Sequence, residues 1–230
     1  MTVTVETLRA QARQRCDMDN RNFISPTEWI QLIDVGYKEL YDILVARFED
    51  WYTINEIFTV PQGSTSYPLP TNFYKLRGLD RSLSGGTGPE DFYPIQPFNF
   101  ENRNNRGMLL RRRGFGPNAQ YRIMQNNFIF TPTDQAGGTY QIWYVPRAVT
   151  LTDPAQTVDG VNGWEEYIVL TAAIKALTKE ESDVSVLAAE KANLYKRIEL
   201  MASNRDGGQT ERVTDVQSQN YGGSWYGFNY

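Results

Sequence analysis

Two pairs of adjacent carboxylates and one run of arginines are the groups in this chain whose types and spacing suggest chemistry. The carboxylates are Glu165-Glu166 and Glu180-Glu181; the arginines are Arg111-Arg112-Arg113. A carboxylate pair cleaves glycosidic bonds when an acid and a base stand roughly 5 to 9.5 Å apart across a sugar. Neighbours on a helix point about 100° apart, so neither pair converges on one substrate atom. Glu165 and Glu166 also fall in the first turn of an expected helix, where negative charge complements the helix dipole. Each arginine can neutralise one phosphate, and Gly107 and Gly114-Phe115-Gly116 flank the run. The net charge of −4 opposes nucleic-acid binding through overall charge, and no second basic cluster exists. A solvated loop, or pairing with carboxylates of a neighbouring subunit, fits the run better. Gly85-Gly86-Thr87-Gly88 has the glycines of a phosphate loop but neither its lysine nor the helix that must follow.

The chain contains no histidine. That removes the commonest general base and the triads that depend on imidazole. With Cys16 as the only cysteine, zinc sites of the Cys/His kind are excluded and no intrachain disulfide can form. Cys16 closes an expected helix, and packing explains it better than redox chemistry. Carboxylate-pair glycosidases work without histidine, so a hydrolase acting on cell-wall sugars stays open as an alternative. No cofactor or metal is expected. No apolar run approaches the ~18 residues of a membrane span, so the expectation is a soluble protein with no membrane partner, made in a reducing compartment.

The elements that must position these residues are mostly legible. From Gly160 to Ala202 the chain reads as two helices, near 163–181 and 183–203. In the first, Trp164, Tyr167, Ile168, Thr171, Ile174 and Leu177 share a face, and Ala172, Ala173 and Ala176 permit close approach by a neighbour. In the second, Val184, Leu187, Lys191, Leu194, Ile198 and Met201 recur at steps of three and four, widened by Ala188, Tyr195 and Ala202. Asn162-Gly163 marks the first start, and Ser182 or Asp183 can cap the second. Near the N-terminus, Thr4 caps an expected helix over 5–16. Ser25-Pro26-Thr27-Glu28 then opens a strong one over 26–48, with Trp29, Ile33, Tyr37, Leu40, Tyr41, Leu44 and Phe48 on one face. Gly36 inside that helix costs about 1 kcal/mol relative to alanine, which a close helix crossing would explain.

After Trp51 the period becomes two, and strands are expected only within 51–146. Ile54 and Phe58 alternate with Asn55 and Thr59. Phe73 to Leu79, Phe92 to Ile95, Tyr121 to Gln125, Phe128 to Thr131 and Thr139 to Val145 follow, with Pro97 to Asn104 a helical turn. Trp143 falls on an otherwise outward face, which suggests a contact surface. The expected class is therefore α+β. A helical bundle formed by both chain ends (1–50 and 160–203) carries an inserted small antiparallel β domain (51–159). Residues 204–230 form an extended tail, polar first and then aromatic, with Tyr221, Trp225, Tyr226, Phe228 and Tyr230 separated by small or polar residues. Five rings spaced in this way cannot build a core of their own and point to docking on another protein.

The phrases SPTEWIQLIDVGYKELYDILV, YPLPTNFYKLRGLD, YQIWYVP and GVNGWEEYIVLTAAIKALTKEESDVSVLAAEKANLYKRIE are similar to the head-to-tail adaptor (connector) proteins of tailed bacteriophages, including the tail-tubular-protein-A-like adaptors. The resemblance covers most of residues 4–216 and is a pattern over the whole chain, with no catalytic signature. It implies a non-enzymatic virion protein in the neck between head and tail, made in the bacterial cytoplasm. It also implies a homo-oligomeric ring of about twelve copies beneath the portal protein, holding a downstream tail or nozzle protein, with DNA only as channel contents. Under that reading the aromatic tail docks on the portal, with a neighbouring subunit as second choice, and Arg111, Arg112 and Arg113 face a neighbouring subunit or the channel. A DNA-packaging accessory that binds DNA through those three arginines is a further alternative.

Overall fold

The structure, a computed structural model, describes residues 2–19, 23–88, 91–102, 119–160 and 162–203. Its class is α+β, with four α-helices and antiparallel sheets among the described residues. Helix α1 (Val5–Arg15) starts where the Thr4 hydroxyl accepts from the Thr7 amide at 3.2 Å. Helix α2 (Pro26–Arg47) starts where the Ser25 hydroxyl accepts from the Glu28 amide at 3.2 Å, with Pro26 at the first helical position. The Glu28 side chain does not close a capping box. It takes an ion pair from Lys179 at 2.5 Å instead. Helix α3 (Glu166–Lys179) follows a turn in which Asn162 and Gly163 both adopt positive φ, so it begins three residues later than Gly163. Helix α4 (Ser185–Ala202) has no side chain capping it from Val184. Asp183 accepts from the Ser185 amide at 2.9 Å, which together with the Ser185 hydroxyl holds its carboxyl below the usual range.

Helix α3 is the element the other three pack against. Its residues Tyr167 to Ala173 are buried on every side, which explains why that stretch is almost wholly apolar. The expected helix crossing exists. A Cβ on Gly36 would stand 3.1 Å from both the Ile168 carbonyl oxygen and the Thr171 Cβ, so only glycine lets α2 come this close to α3. One apolar cluster joins Val5, Leu8 and Ala12 of α1, Trp29, Ile33 and Leu40 of α2, Ile168, Ala172 and Ala176 of α3, and Ile198 and Ala202 of α4. Cys16 lies within it, its thiol donating to the Ala173 carbonyl at 3.4 Å, and burial pushes that thiol up to about 11.

Helix α4 corrects the sequence reading in part. Leu187, Lys191 and Leu194 face inward but remain partly exposed, and only Ile198 and Ala202 are fully buried. Met201, Ala188 and Tyr195 do not belong to the buried face; Met201 is 52% exposed. The inward row continues from Ile198 by four residues to Ala202 and not by three to Met201, because a helix turning every 3.6 residues drifts away from a strict alternation of three and four.

Strands β1 (Thr2–Thr4) and β9 (Thr157–Asp159) pair antiparallel, which overturns the expectation that strands lie only within 51–146. Three-residue strands leave no alternation to read. Val158 and Leu151 join the helical cluster, so this pairing is tied into the helices. The larger sheet has the order β2 (Ile54–Val60), β8 (Gly138–Pro146), β4 (Phe73–Ser82), β5 (Phe92–Pro94). A second sheet has the order β3 (Ser66–Pro68), β7 (Asn127–Thr131), β6 (Gln120–Met124). The β6–β7 turn is Gln125-Asn126, one residue earlier than expected, with Gln125 at φ 55°. Strand β4 runs three residues past Leu79, and a 3-10 turn at Phe100–Asn102 lies within the expected helical turn. The two sheets share a core of Val60, Leu79, Tyr121, Phe128, Phe130, Tyr140, Ile142 and Tyr144.

The helices meet the larger sheet at Tyr41 and Val45 of α2, which pack on Val145 of β8. The Tyr41 hydroxyl donates to the Pro146 carbonyl at 2.6 Å, and its ring meets Tyr52 edge-on at 5.0 Å. Ion pairs brace the same junction, where Lys75 and Arg77 of β4 meet Glu49 and Asp50 in the 3-10 turn (Glu49–Tyr52) that ends α2.

Candidate interaction surfaces

The two carboxylate pairs stand at opposite ends of α3. Glu166 is held by Arg15 at 2.7 Å, across the contact of α1 with α3. Glu181 occupies the reversal between α3 and α4 at φ 60°, while Glu180 closes α3 through its backbone. The pairs therefore lie where their place in the sequence implied, in the first turn and at the close of α3. Among the described residues there is no group of three or more His, Cys, Asp or Glu that could hold a metal ion. No described helix is long and apolar enough to cross a membrane.

The glycine loop is closed on itself. Asp91 accepts from the Gly88 amide and from the Ser84 hydroxyl, each at 3.2 Å, and its carbonyl accepts from the Leu83 amide. The Ser84 hydroxyl also accepts from the Gly86 amide at 3.3 Å. Two of the amides that would cradle a phosphate, those of Gly86 and Gly88, are thus spent inside the loop.

Two surfaces do present exposed apolar groups. The first lies on the larger sheet. Strand β2 pairs with β8 in unbroken register over seven residues, from Ile54 opposite Tyr144 to Val60 opposite Gly138. Its other side carries no strand among the described residues. The expected half-buried strand is therefore an edge strand, buried only at Val60 and half-buried at Phe58. Pairing places Asn55, Ile57 and Thr59 on the face that also carries Trp143 and Gln141 of β8. Ile57 is 45% and Trp143 36% exposed. Trp143 donates through Nε1 to Asp80 at 2.7 Å, which fixes its ring across from Gly78. Beside it an open depression of about 430 Å³ is lined by Asp50, Thr53, Arg77, Gly78 and Trp143. The outward tryptophan did announce this surface in the sequence; the edge position of β2 had no local signal, because strand order is set by long-range pairing.

The second surface is the outer side of α4, where Val186 and Leu200 are 67% and 64% exposed. Arg111, Arg112 and Arg113, and the aromatic set Tyr221, Trp225, Tyr226, Phe228 and Tyr230, lie outside the described residues.

Comparison with known families bears on what such exposed faces meet. The family model for the SU10 adaptor protein matches residues 3–217. This chain belongs to the SU10 adaptor protein family. The match spans every described element, helices and sheets alike. Membership makes this adaptor a structural protein of the phage virion, with a head-tail adaptor role that implies oligomers and association with portal and tail proteins in general. No curated protein matches the adaptor at a significant level.

Proposed function

We propose that this chain is the repeating subunit of a ring, about twelve copies in circumference, that sits between the portal and the tail and surrounds the channel through which DNA leaves. The observation that carries this reading is the family match over residues 3–217. The detailed likeness to tail-tubular-protein-A adaptors belongs to the same proposal. The two helical stretches, 1–50 and 160–203, act as one block and the inserted residues 51–159 as another. The tail 204–230 is a docking segment whose Tyr221, Trp225, Tyr226, Phe228 and Tyr230 anchor the ring to the portal or to a neighbouring subunit. Arg111, Arg112 and Arg113 meet acidic groups of the adjacent copy or line the channel. A downstream tail or nozzle protein takes the ring's far side, and the neck of the virion is the protein's place.

Mass photometry of the chain alone and mixed with its portal ring tests this. Small species alone and a defined multiple of the chain mass added to each portal ring are the expected result. A chain that adds no mass to portal rings at micromolar concentration is not such an adaptor.

A further inference from the structure

Exposed edge strands invite pairing with other chains, and folded proteins guard them with lysine, proline, a bulge, an inward-pointing charge or a cover. Among the described residues strand β2 has only the inward-pointing charge. Its register with β8 is unbroken, whereas β4 shifts register twice against the same strand. Its only charge, Glu56, lies on the opposite face and accepts a hydrogen bond from the Tyr144 hydroxyl. The outward row Asn55, Ile57, Thr59 is uncharged and continues onto Trp143. The backbone groups of alternate residues point outward along this edge and meet no strand among the described residues.

The same chain supplies a segment of matching chemistry. Residues 217–230 contain no charged side chain and no proline, and the last seven read SWYGFNY. Tyr226, Phe228 and Tyr230 stand two apart, the spacing that puts all three on one face of a strand. Aromatic residues favour strands and pair well across them. The segment also starts from the right place. Glu199, one turn from the end of α4, forms an ion pair with Arg47, the last residue of α2. From Arg47 the chain passes through one 3-10 turn into β2. The last turn of α4 therefore lies beside the end of α2, the helix that leads into β2.

We infer that residues 224–230 of one copy add to the β2 edge of a second copy, laying Tyr226, Phe228 and Tyr230 over Ile57 and Trp143. The inference rests on the proposed ring and names the partner of its aromatic tail. A return to its own β2 would need little chain. Residues 204–223 span up to about 65 Å when extended, against a radius of gyration near ~17 Å for a compact chain of this size. That spacer reaches a neighbour. A tail-to-edge contact is also heterologous, the kind that closes rings when repeated, whereas β2 meeting β2 would stop at a dimer. Main-chain pairing supplies affinity, and the three rings supply the register.

Cysteine pairing in the full chain tests this, because native Cys16 is buried and its thiol stays protonated. Chains carrying Ile57→Cys and differently tagged chains carrying Phe228→Cys are mixed and oxidised, both in concentrated solution and on portal rings. A disulfide between the two tags, in about tenfold excess over a Val149→Cys/Phe228→Cys control, is the expected result. No cross-link in either setting overturns the strand pairing, and rings that still form on the portal would leave the adaptor reading intact. A cross-link confined to single chains carrying both substitutions overturns the choice of a second copy. Cross-linked oligomers from a chain that never joins the portal uphold the pairing and overturn the adaptor reading.

Discussion

Gly36 shows how one residue type records a tertiary contact. Alanine would gain about 1 kcal/mol of helix propensity there. The atoms it would meet include the backbone of Ile168 in α3, a helix packed on all sides that cannot retreat. Gly36→Ala should therefore lower the melting temperature, and Gly36→Val should cost about 1–3 kcal/mol from overpacking. A melting temperature raised by alanine would show that the crossing is looser than 3.1 Å implies. Three tyrosines make a second residue-scale case. Burial, the largest cause at each, pushes Tyr41, Tyr140 and Tyr144 up from 10.0 to about 12. Like charge from Asp42 and other tyrosines adds to this at Tyr41, and the bond to Glu56 adds to it at Tyr144. The folded state then holds protons that the unfolded chain releases, so their contribution is complete below pH 10 and disappears as pH rises towards 12. Absorbance of tyrosinate should rise in two stages, the later one coinciding with loss of circular dichroism. A single stage near pH 10 with the fold intact would mean these hydroxyls are not buried donors.

At the scale of elements, the sequence was readable wherever one face alone met the core. The starts of α1 and α2 followed from Thr4, Ser25 and Pro26, and β6, β7 and β8 from alternation. It was least readable where two or more neighbours share an element. Helix α3 is buried nearly all round, so its stripe understated its burial. Helix α4 is covered on one side only, and there a strict alternation of three and four ran on to Met201 when the packed residue is Ala202. Strands β1 and β9 were missed because three residues carry no period, and the exposed edge of β2 because nothing local encodes strand order. This gives α4 a graded prediction. Ile198→Ala, at a fully buried site, should cost about 2–5 kcal/mol, and Leu194→Ala less than about 2. Chemical denaturation of both variants measures this. Equal losses would mean that α4 is covered along its whole length in solution, as by a neighbouring copy.

At the scale of the molecule, the helical core and the paired sheets account for stability and leave function to what projects from them. Of the candidate site groups, the carboxylate pairs were placed by their position at helix ends, whereas the arginine run carries no pattern that fixes a partner and the alternation of Tyr226, Phe228 and Tyr230 acquires one only beside an exposed strand edge. Their roles must come from assembly. A subunit of net charge −4 repels its copies, so a closed ring needs either apolar contact or positive charge delivered to the neighbour's acids. Arg111, Arg112 and Arg113 are the densest positive charge in the chain. Reversing all three changes the charge of every subunit by six, from −4 to −10, since each arginine lost and each glutamate gained counts once. Repulsion between neighbours then grows while the apolar contacts of the described helical and sheet cores are kept. Arg111→Glu/Arg112→Glu/Arg113→Glu should thus leave the melting temperature of the free chain nearly unchanged and weaken ring formation on the portal. The loss should be strongest at low salt, because ions screen like charges at the surface beyond about 10 Å at 0.1 M. Mass photometry across a salt series reads this directly. Rings that form normally at every salt concentration, in virions that eject DNA poorly, would put the three arginines on the channel wall and remove them from the contact between subunits.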